Sequence, residues 1–261
     1  MRKDKTTLTA EFNNLKKDWL SVYNWESLSA KSYLNDLCEI LVGRLDEISN
    51  NEGLRTTGFR VTTHTGTIEL MTDIDQITEK RICRALFNDS TVPIFKKFID
   101  YEVPFKEKQD SRHGDIDLLA SDSTSVFIIE AKKSDPSFSV LKAILQAFSY
   151  SILVNKVKGV FFREFELDVA RTITPTVLIF EDSECARELR QLKAHPSLSK
   201  LLDKLNDKSR SSGIGRIRFF SISTNQPVSG SWFREVETPE KRHPKILFRD
   251  EFSYDISEII Y

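Results

Sequence analysis

Two neighbouring runs, "GDIDLLA" at 114–120 and "SVFIIEAKK" at 125–133, carry Asp115, Asp117, Glu130 and Lys132 inside otherwise apolar sequence. Charges in the middle of a sheet are costly unless something pairs with them. Residues two apart on a strand share a face, so Asp115 goes with Asp117 and Glu130 with Lys132. The turn between the runs decides what faces Glu130. A loop over 122–125 sets Asp117 opposite it, whereas a loop over 121–124 sets Asp115 there. Parity is the same in both registers, so all four polar groups are expected on one face. Carboxylates held that close repel each other, and their natural remedy is a hard divalent cation with oxygen ligands. A lysine beside such a site is a poor metal ligand, but it can hold a nucleophilic water or offset phosphate charge. The set suits metal-assisted attack of water on a phosphodiester.

Such a site needs a frame, and the patterning supplies one. Residues 9–49 read as helical, with Leu34, Leu37, Ile40, Leu41 and Leu45 at helical spacing. The Gly- and Thr-rich stretch 50–70 breaks that period as a loop or short strands, with a boundary near 71. A helix is predicted over 73–88, with Ile74, Ile77, Ile82 and Leu86 on one side. "FIDYEVPF" (98–105) alternates as a strand that Pro104 ends. "DIDLLA" and "SVFIIEA" follow as two more strands, separated by the turn-like "SDST". Asp135-Pro136 opens a helix through residue 154. "KGVFF" (158–162) and "TPTVLIFE" (174–181) read as strands, 183–206 as helical and "RIRFFSIS" (216–223) as a strand. The tail from 224 has no periodicity that assigns it an element. The order predicts an α/β fold with a mixed central sheet flanked by helices. It divides into a mainly helical N-terminal extension (1–70), a core (71–182) and a C-terminal α/β elaboration packed on the core (183–261).

Bulk properties narrow the classes. The 261 residues suffice for one large domain or a core domain with an extension. A hydrophobic content of 39% with 18 Phe supports a real core, and 30% charged residues argue for a soluble chain. The net charge of −1 demands no polyanionic partner globally, although a local basic face can be masked by acids elsewhere. The N-terminus lacks the apolar region of a signal peptide, and no apolar run approaches the roughly 20 residues that span a bilayer. Cys38, Cys83 and Cys185 are isolated, with no CxxC, so neither a disulfide framework nor structural zinc is indicated. A cytoplasmic protein with buried thiols and no membrane association is expected.

"GDIDLLA" followed closely by "FIIEAKK" resembles the PD-(D/E)XK nuclease superfamily, whose pattern is an Asp ending one strand and Glu/Asp-x-Lys on the next. The superfamily name also has Pro before the Asp. This chain has Ile116, at a position that varies in the superfamily. The resemblance implies a restriction-endonuclease-like core and a Mg²⁺- or Mn²⁺-dependent nuclease acting on DNA. It makes Asp117 and Glu130 metal ligands, the Ala131 carbonyl a third, Lys132 the catalytic lysine and Asp115 an auxiliary acid. Gln146 and Tyr150 in "QAFSY" lie on one helix face and resemble the QxxxY extension of RecB-like members, where both support the site. "TEKRICRALF" resembles their first helix and makes Glu79 a further acid near the metal. The matching segment runs over about residues 79–150, and its order of helix, three strands, helix and strand agrees with the superfamily core.

Blander readings exist for each piece. ExK occurs on many solvated strand edges, and Asp at a strand end commonly forms turns. Gln146 and Tyr150 suit a helix rim and a core position, and Lys80 beside Glu79 suits a surface helix. Their order and compatible parity together favour the site. His64, His113, His195 and His243 lack metal-ligand spacing. "GIG" at 213–215 precedes a strand and is no dinucleotide fingerprint. Lys96, Lys97, Lys106, Lys108, Arg112, Lys132, Lys133 and Lys142 make a locally basic stretch that would favour a phosphate backbone. The alternative from another class is a non-catalytic nucleic-acid- or protein-binding module that keeps the fold. A third reading is an α/β enzyme acting on small phosphoesters. A homodimer or a protein partner is left open.

Overall fold

The computed structural model describes residues 38–39, 41–43, 55–61, 64, 78–89, 92, 94–105, 115–133, 140–191, 196–226, 232–236 and 245–261. Most of the predicted N-terminal helix and of the 50–70 stretch lies outside these residues, and residues 38, 39, 41 and 42 are helical as predicted. Within them, Cys38, Leu41 and Phe59 are buried in the main core.

A helix α1 (Glu79–Asn88) leads into strands β1 (Lys97–Pro104), β2 (Asp115–Ser121) and β3 (Ser125–Lys132). Helices α2 (Val140–Lys156) and α3 (Lys158–Glu164), strand β4 (Thr172–Phe180), helices α4 (Glu184–Arg190) and α5 (Pro196–Ser211) and strand β5 (Arg218–Thr224) follow. The chain closes with β6 (Phe233–Val236), β7 (Lys245–Phe248) and β8 (Tyr254–Glu258). Six strands form one mixed sheet in the order β1-β2-β3-β4-β5-β8, and β6 and β7 form a separate antiparallel pair. β1, β2 and β3 run antiparallel, β3, β4 and β5 parallel, and β8 antiparallel to β5. The α/β class with a mixed sheet flanked by helices is therefore as the patterning predicts.

Each face of the sheet carries its own core. On one face the α2 residues Val140, Ile144 and Phe148 pack with Val126, Ile128, Val177 and Ile179, beside Phe161 of α3, Leu189 of α4 and Leu201 of α5. On the other, Ile82, Cys83 and Leu86 of α1 pack with Leu118, Phe127, Ile129 and Leu178, beside Trp232, Phe233 and Ile246. α2 is buried on nearly every side, which explains its apolar sequence. No single described helix is long and apolar enough to cross a membrane; α2 and α3 pass that test only jointly, bent by 94°.

Local sequence sets the element ends. The Thr78 hydroxyl accepts from the Arg81 N–H and starts α1 at Glu79. The described helix thus begins after the 73–77 part of the prediction, which lies outside the described residues with Ile74 and Ile77. Asp122 Oδ1 accepts from the N–H groups of Thr124 and Ser125 at 2.7 Å each, closing the β2–β3 turn.

Three readings need correction. "KGVFF" is a helix, not a strand: it opens α3, and the Phe161 ring meets that of Phe165, the C-cap four residues on, at 4.8 Å with the planes tilted by 46°. Three consecutive apolar residues, Val160, Phe161 and Phe162, do not by their pattern separate the two. The helical stretch over 183–206 is two helices, and the second extends to Ser211. The tail contains three strands, of which β8 completes the sheet.

Gly159 is an exposed residue of α3, and a methyl group added there would meet nothing within 4 Å. Gly159→Ala is expected to stabilise the protein by about 0.5 kcal/mol, mainly by restricting the unfolded chain. Urea denaturation of the two proteins would measure it.

Candidate active site

The site lies where β2 and β3 part. Their ladder runs from Ser121↔Val126 to Leu118↔Ile129 and goes no further, although both strands continue. Beyond it β2 stays with β1, through Val103↔Ile116 and Pro104↔Asp115, while β3 stays with β4, through Glu130↔Val177 to Lys132↔Ile179. The sheet forks. The turn residues are 122–125, so extending the register brings Asp117 opposite Glu130, the first of the two alternatives.

Across the fork the Asp117 side chain replaces the missing backbone partner: its Oδ2 accepts from the Ala131 N–H at 2.9 Å. Lys132 Nζ donates to Glu130 Oε1 at 2.6 Å and to the Ala131 carbonyl at 3.1 Å. Glu79, at the first position of α1, brings Oε2 to 3.7 Å from Lys132 Nζ and Oε1 to 3.5 Å from the Lys133 N–H. Glu130 and Lys132 are almost wholly buried, with 2% and 4% of their side chains exposed. Asp115 stands at the outer end of β2, half-buried. On α2, Tyr150 is buried and stacks on Phe105, while Gln146 is half-buried. The structure thus brings Glu79, Asp117, Glu130, the Ala131 carbonyl and Lys132 together. Tyr150 is near enough for the Glu130 and Asp117 charges to act on it.

Strict alternation along β2 breaks at Asp117. Leu119 packs into the α2-side core and Leu118 into the α1-side core, but Ile116 is on the α2 side again. β1 does the same, with Tyr101 on the α1 side and Val103 on the α2 side. Both strands turn over together, at Glu102 and at Asp117, which the register sets opposite each other. The one-face expectation suits Glu130 and Lys132, whereas Asp117 sits at the turnover and alternation beyond Ile116 assigns Asp115 to the α1 side. Glu102 has φ 45°, the left-handed region, which costs a non-glycine residue about 1–2 kcal/mol. Its carboxylate is gripped by Lys80 at 2.6 Å and Arg84 at 2.5 Å, both from α1. Sequence reasoning missed Glu102, and its only trace was the pair of cations four apart at 80 and 84.

Burial and repulsion dominate the electrostatics. Burial, then the nearby Glu130 charge, pushes the Asp117 carboxyl well above the usual carboxylate range. Burial also raises Glu130, against the opposing pull of Lys132. Burial would strip the proton from Lys132, but Glu130, Asp117 and Glu79 outweigh it and hold the ammonium above an ordinary lysine. Burial, then Glu130, raises the Tyr150 phenol. Burial works against the Glu102 charge, but hydrogen bonds from Lys80 and Arg84 reverse it and lower that carboxyl. Burial, then Asp117, keeps the Cys83 thiol protonated.

Among the described residues no three His, Cys, Asp or Glu side chains stand as a ready metal cage. A Mg²⁺ site needs less, since one or two carboxylates suffice when waters and substrate oxygens complete the shell. Asp117 and Glu130 meet that need. Glu130 Oε2 is buried without a hydrogen-bond partner, as are Gln146 Oε1 and the Tyr150 hydroxyl. A buried carboxylate oxygen in that state has room for a further partner, a water or a cation. The Ala131 carbonyl, already accepting from Lys132, keeps a second lone pair.

An acid with a raised native pKa stabilises the fold only while protonated. For Asp117 that contribution is complete below about pH 4 and disappears as pH rises through the native value. Asp117→Asn is therefore expected to raise stability at pH 8 by about 1 kcal/mol, with the gain shrinking toward pH 4. Thermal melts across that range would check it.

No family model, curated protein or solved structure matches the chain.

Proposed function

We propose that the chain is a metal-dependent nuclease that hydrolyses phosphodiester bonds, with DNA as substrate and Mg²⁺ or Mn²⁺ as cofactor. The single observation that carries this reading is the fork between β2 and β3. It gathers the buried Glu130 and half-buried Asp117 carboxylates, both with raised pKa, a third acid from α1 and a charged lysine at one point. The order α1, β1–β3, α2 and then β4, with β4 parallel to β3, supports a restriction-endonuclease-like core.

Asp117 and Glu130 would hold the cation with the Ala131 carbonyl. The cation would lower the pKa of the attacking water and take up charge developing on phosphorus. Lys132 Nζ, fixed by Glu130 Oε1, would donate to the attacking oxygen and hold it in line with the phosphorus. Glu79, 3.7 Å from Lys132 Nζ, would add to the Glu130 and Asp117 charges that keep the ammonium protonated. Gln146 and Tyr150 would brace Glu130 from the α2 side. Lys96 and Lys97 are exposed and would supply cations for a phosphate backbone.

The test is purified protein on supercoiled plasmid and on end-labelled single strands, with Mg²⁺, Mn²⁺ or EDTA. Calorimetric Mn²⁺ titration of wild type and Asp117→Asn would run beside it. Cutting that needs the metal, with Mn²⁺ binding lost in the variant, is the expected result. A wild-type protein that binds DNA but takes up no Mn²⁺ and cuts nothing would replace the nuclease by a binding module.

A further inference from the structure

We propose that Glu102 is a positioning residue for the fork. Its left-handed backbone, locked by Lys80 and Arg84 of α1, turns β1 and β2 over and delivers Asp117 to Ala131. The metal-binding consequence rests on the nuclease reading, whereas the geometric one does not.

Three observations converge on this residue. Among the described residues only Glu102 and Glu166 adopt positive φ without being glycine, and Glu102 alone lies within a strand. Strained backbone of this kind persists where surrounding contacts over-determine it, and it gathers at functional sites. Secondly, β1 and β2 both change faces at this register position, beyond the separate bulge of β1 between Phe98 and Asp100. Residues 101 and 118 pack toward α1, and 103 and 116 toward α2. Without the turnover, β2 would keep alternating. Thirdly, the grip on Glu102 comes from the helix that also supplies Glu79. Lys80 and Arg84 hold its two carboxylate oxygens separately, and the Arg84 guanidinium lies 5.6 Å from the Tyr101 ring centre. Glu79 stands one residue before Lys80, so the clamp sets α1 and β1 in one register. It thereby aligns the Glu79 carboxylate on Lys132 and the Asp117 carboxylate on Ala131.

The proposal separates Glu102 from an ordinary buried ion pair. A purely structural pair would affect stability and leave the fork unchanged. A positioning residue must alter the Asp117–Ala131 hydrogen bond and the site's grip on a cation. Valine, branched at Cβ, resists positive φ, and glycine accepts it freely. Glu166, with φ 56° and a largely exposed side chain in the turn after α3, is the matched control for left-handed strain.

The experiment compares Glu102→Val, Glu102→Gly and Glu166→Val in the full chain. Amide hydrogen exchange at Ala131 and Mn²⁺ affinity by calorimetry are the readouts. In Glu102→Val, Ala131 exchange is expected to quicken at least tenfold relative to its β3 neighbours, and Mn²⁺ affinity to fall at least tenfold. Glu102→Gly is expected to recover most of the Ala131 protection, and Glu166→Val to lose stability without touching either readout. If Glu102→Val fails to fold, the double variant Lys80→Met, Arg84→Met releases the clamp at the helix and must give the same loss at Ala131. Unchanged Ala131 exchange in a folded Glu102→Val or clamp variant would overturn the proposal, as would an equal effect from Glu166→Val. A wild-type protein that binds no Mn²⁺ would sink the nuclease reading alone, since Ala131 exchange still decides the role of Glu102.

Discussion

Lys132→Met is expected to lower metal-dependent DNA cleavage by about 10²–10⁴-fold, the range associated with one positioned proton-transfer group. Mn²⁺ affinity should change far less. The lysine is 4% exposed and makes hydrogen bonds to Glu130 and to the Ala131 carbonyl, so its charge is committed to the centre of the site and not to solvent. Methionine keeps most of the volume and removes the ammonium. Glu130, already raised by burial, then answers the lost cation by taking a proton. The variant should accordingly fold, be weakest at high pH and recover stability as pH falls. A single-turnover assay at saturating Mg²⁺, with a melt at each pH, separates lost chemistry from lost structure. Cleavage within threefold of wild type would remove Lys132 from the reaction.

Glu130→Ala is expected to cost far more stability than any other single change at the fork, about 3–5 kcal/mol. The reason is the asymmetry of a buried ion pair. Deleting the acid strands an ammonium that has almost no solvent and leaves Glu79 at 3.7 Å as a charged neighbour on the surface side. The lysine pKa should drop, so the variant loses least stability at alkaline pH, the reverse of Lys132→Met. For a chain of this size the melting temperature should fall by roughly 6–15 °C. A variant that melts within 2 °C of wild type would show that the pair is open to water. Set beside Asp117→Asn, which is expected to stabilise, this result would show that the two acids play opposite structural parts.

Much of the site was legible because the relevant signals are short-range. Apolar stretches on either side of a turn-like "SDST" marked β2 and β3, and the Asp122 side chain in that turn decides the register. Glu130 and Lys132 share a face because β3 is regular. Asp117 was found by type and spacing, but its position at a turnover was not, because nothing about a glutamate at 102 announces positive φ. That conformation is imposed by Lys80 and Arg84 from another element. α3 was misread because its three consecutive apolar residues, Val160, Phe161 and Phe162, fit either period. β6 and β8 were missed because "FREV" and "YDISE" are short and charged, and long-range pairing, not local pattern, makes them strands.

The place of β8 in the sheet has a consequence for how the chain is made. β5 joins β4 in parallel, and among the described residues its other edge is covered by residues 254–258 and by the Ile259 N–H, which donates to the Phe219 carbonyl at 2.8 Å. During synthesis from the N-terminal end, the nucleus of the sheet can assemble while that edge still offers a row of unpaired backbone groups. Nascent chains crowded on one message would meet through that edge before β8 arrives. The salt bridge of Arg218 with Glu258 at 2.7 Å then acts as a latch that rewards the chain's own strand over a neighbour's. Chains released short of Tyr254 would carry an intact fork and an adhesive flank.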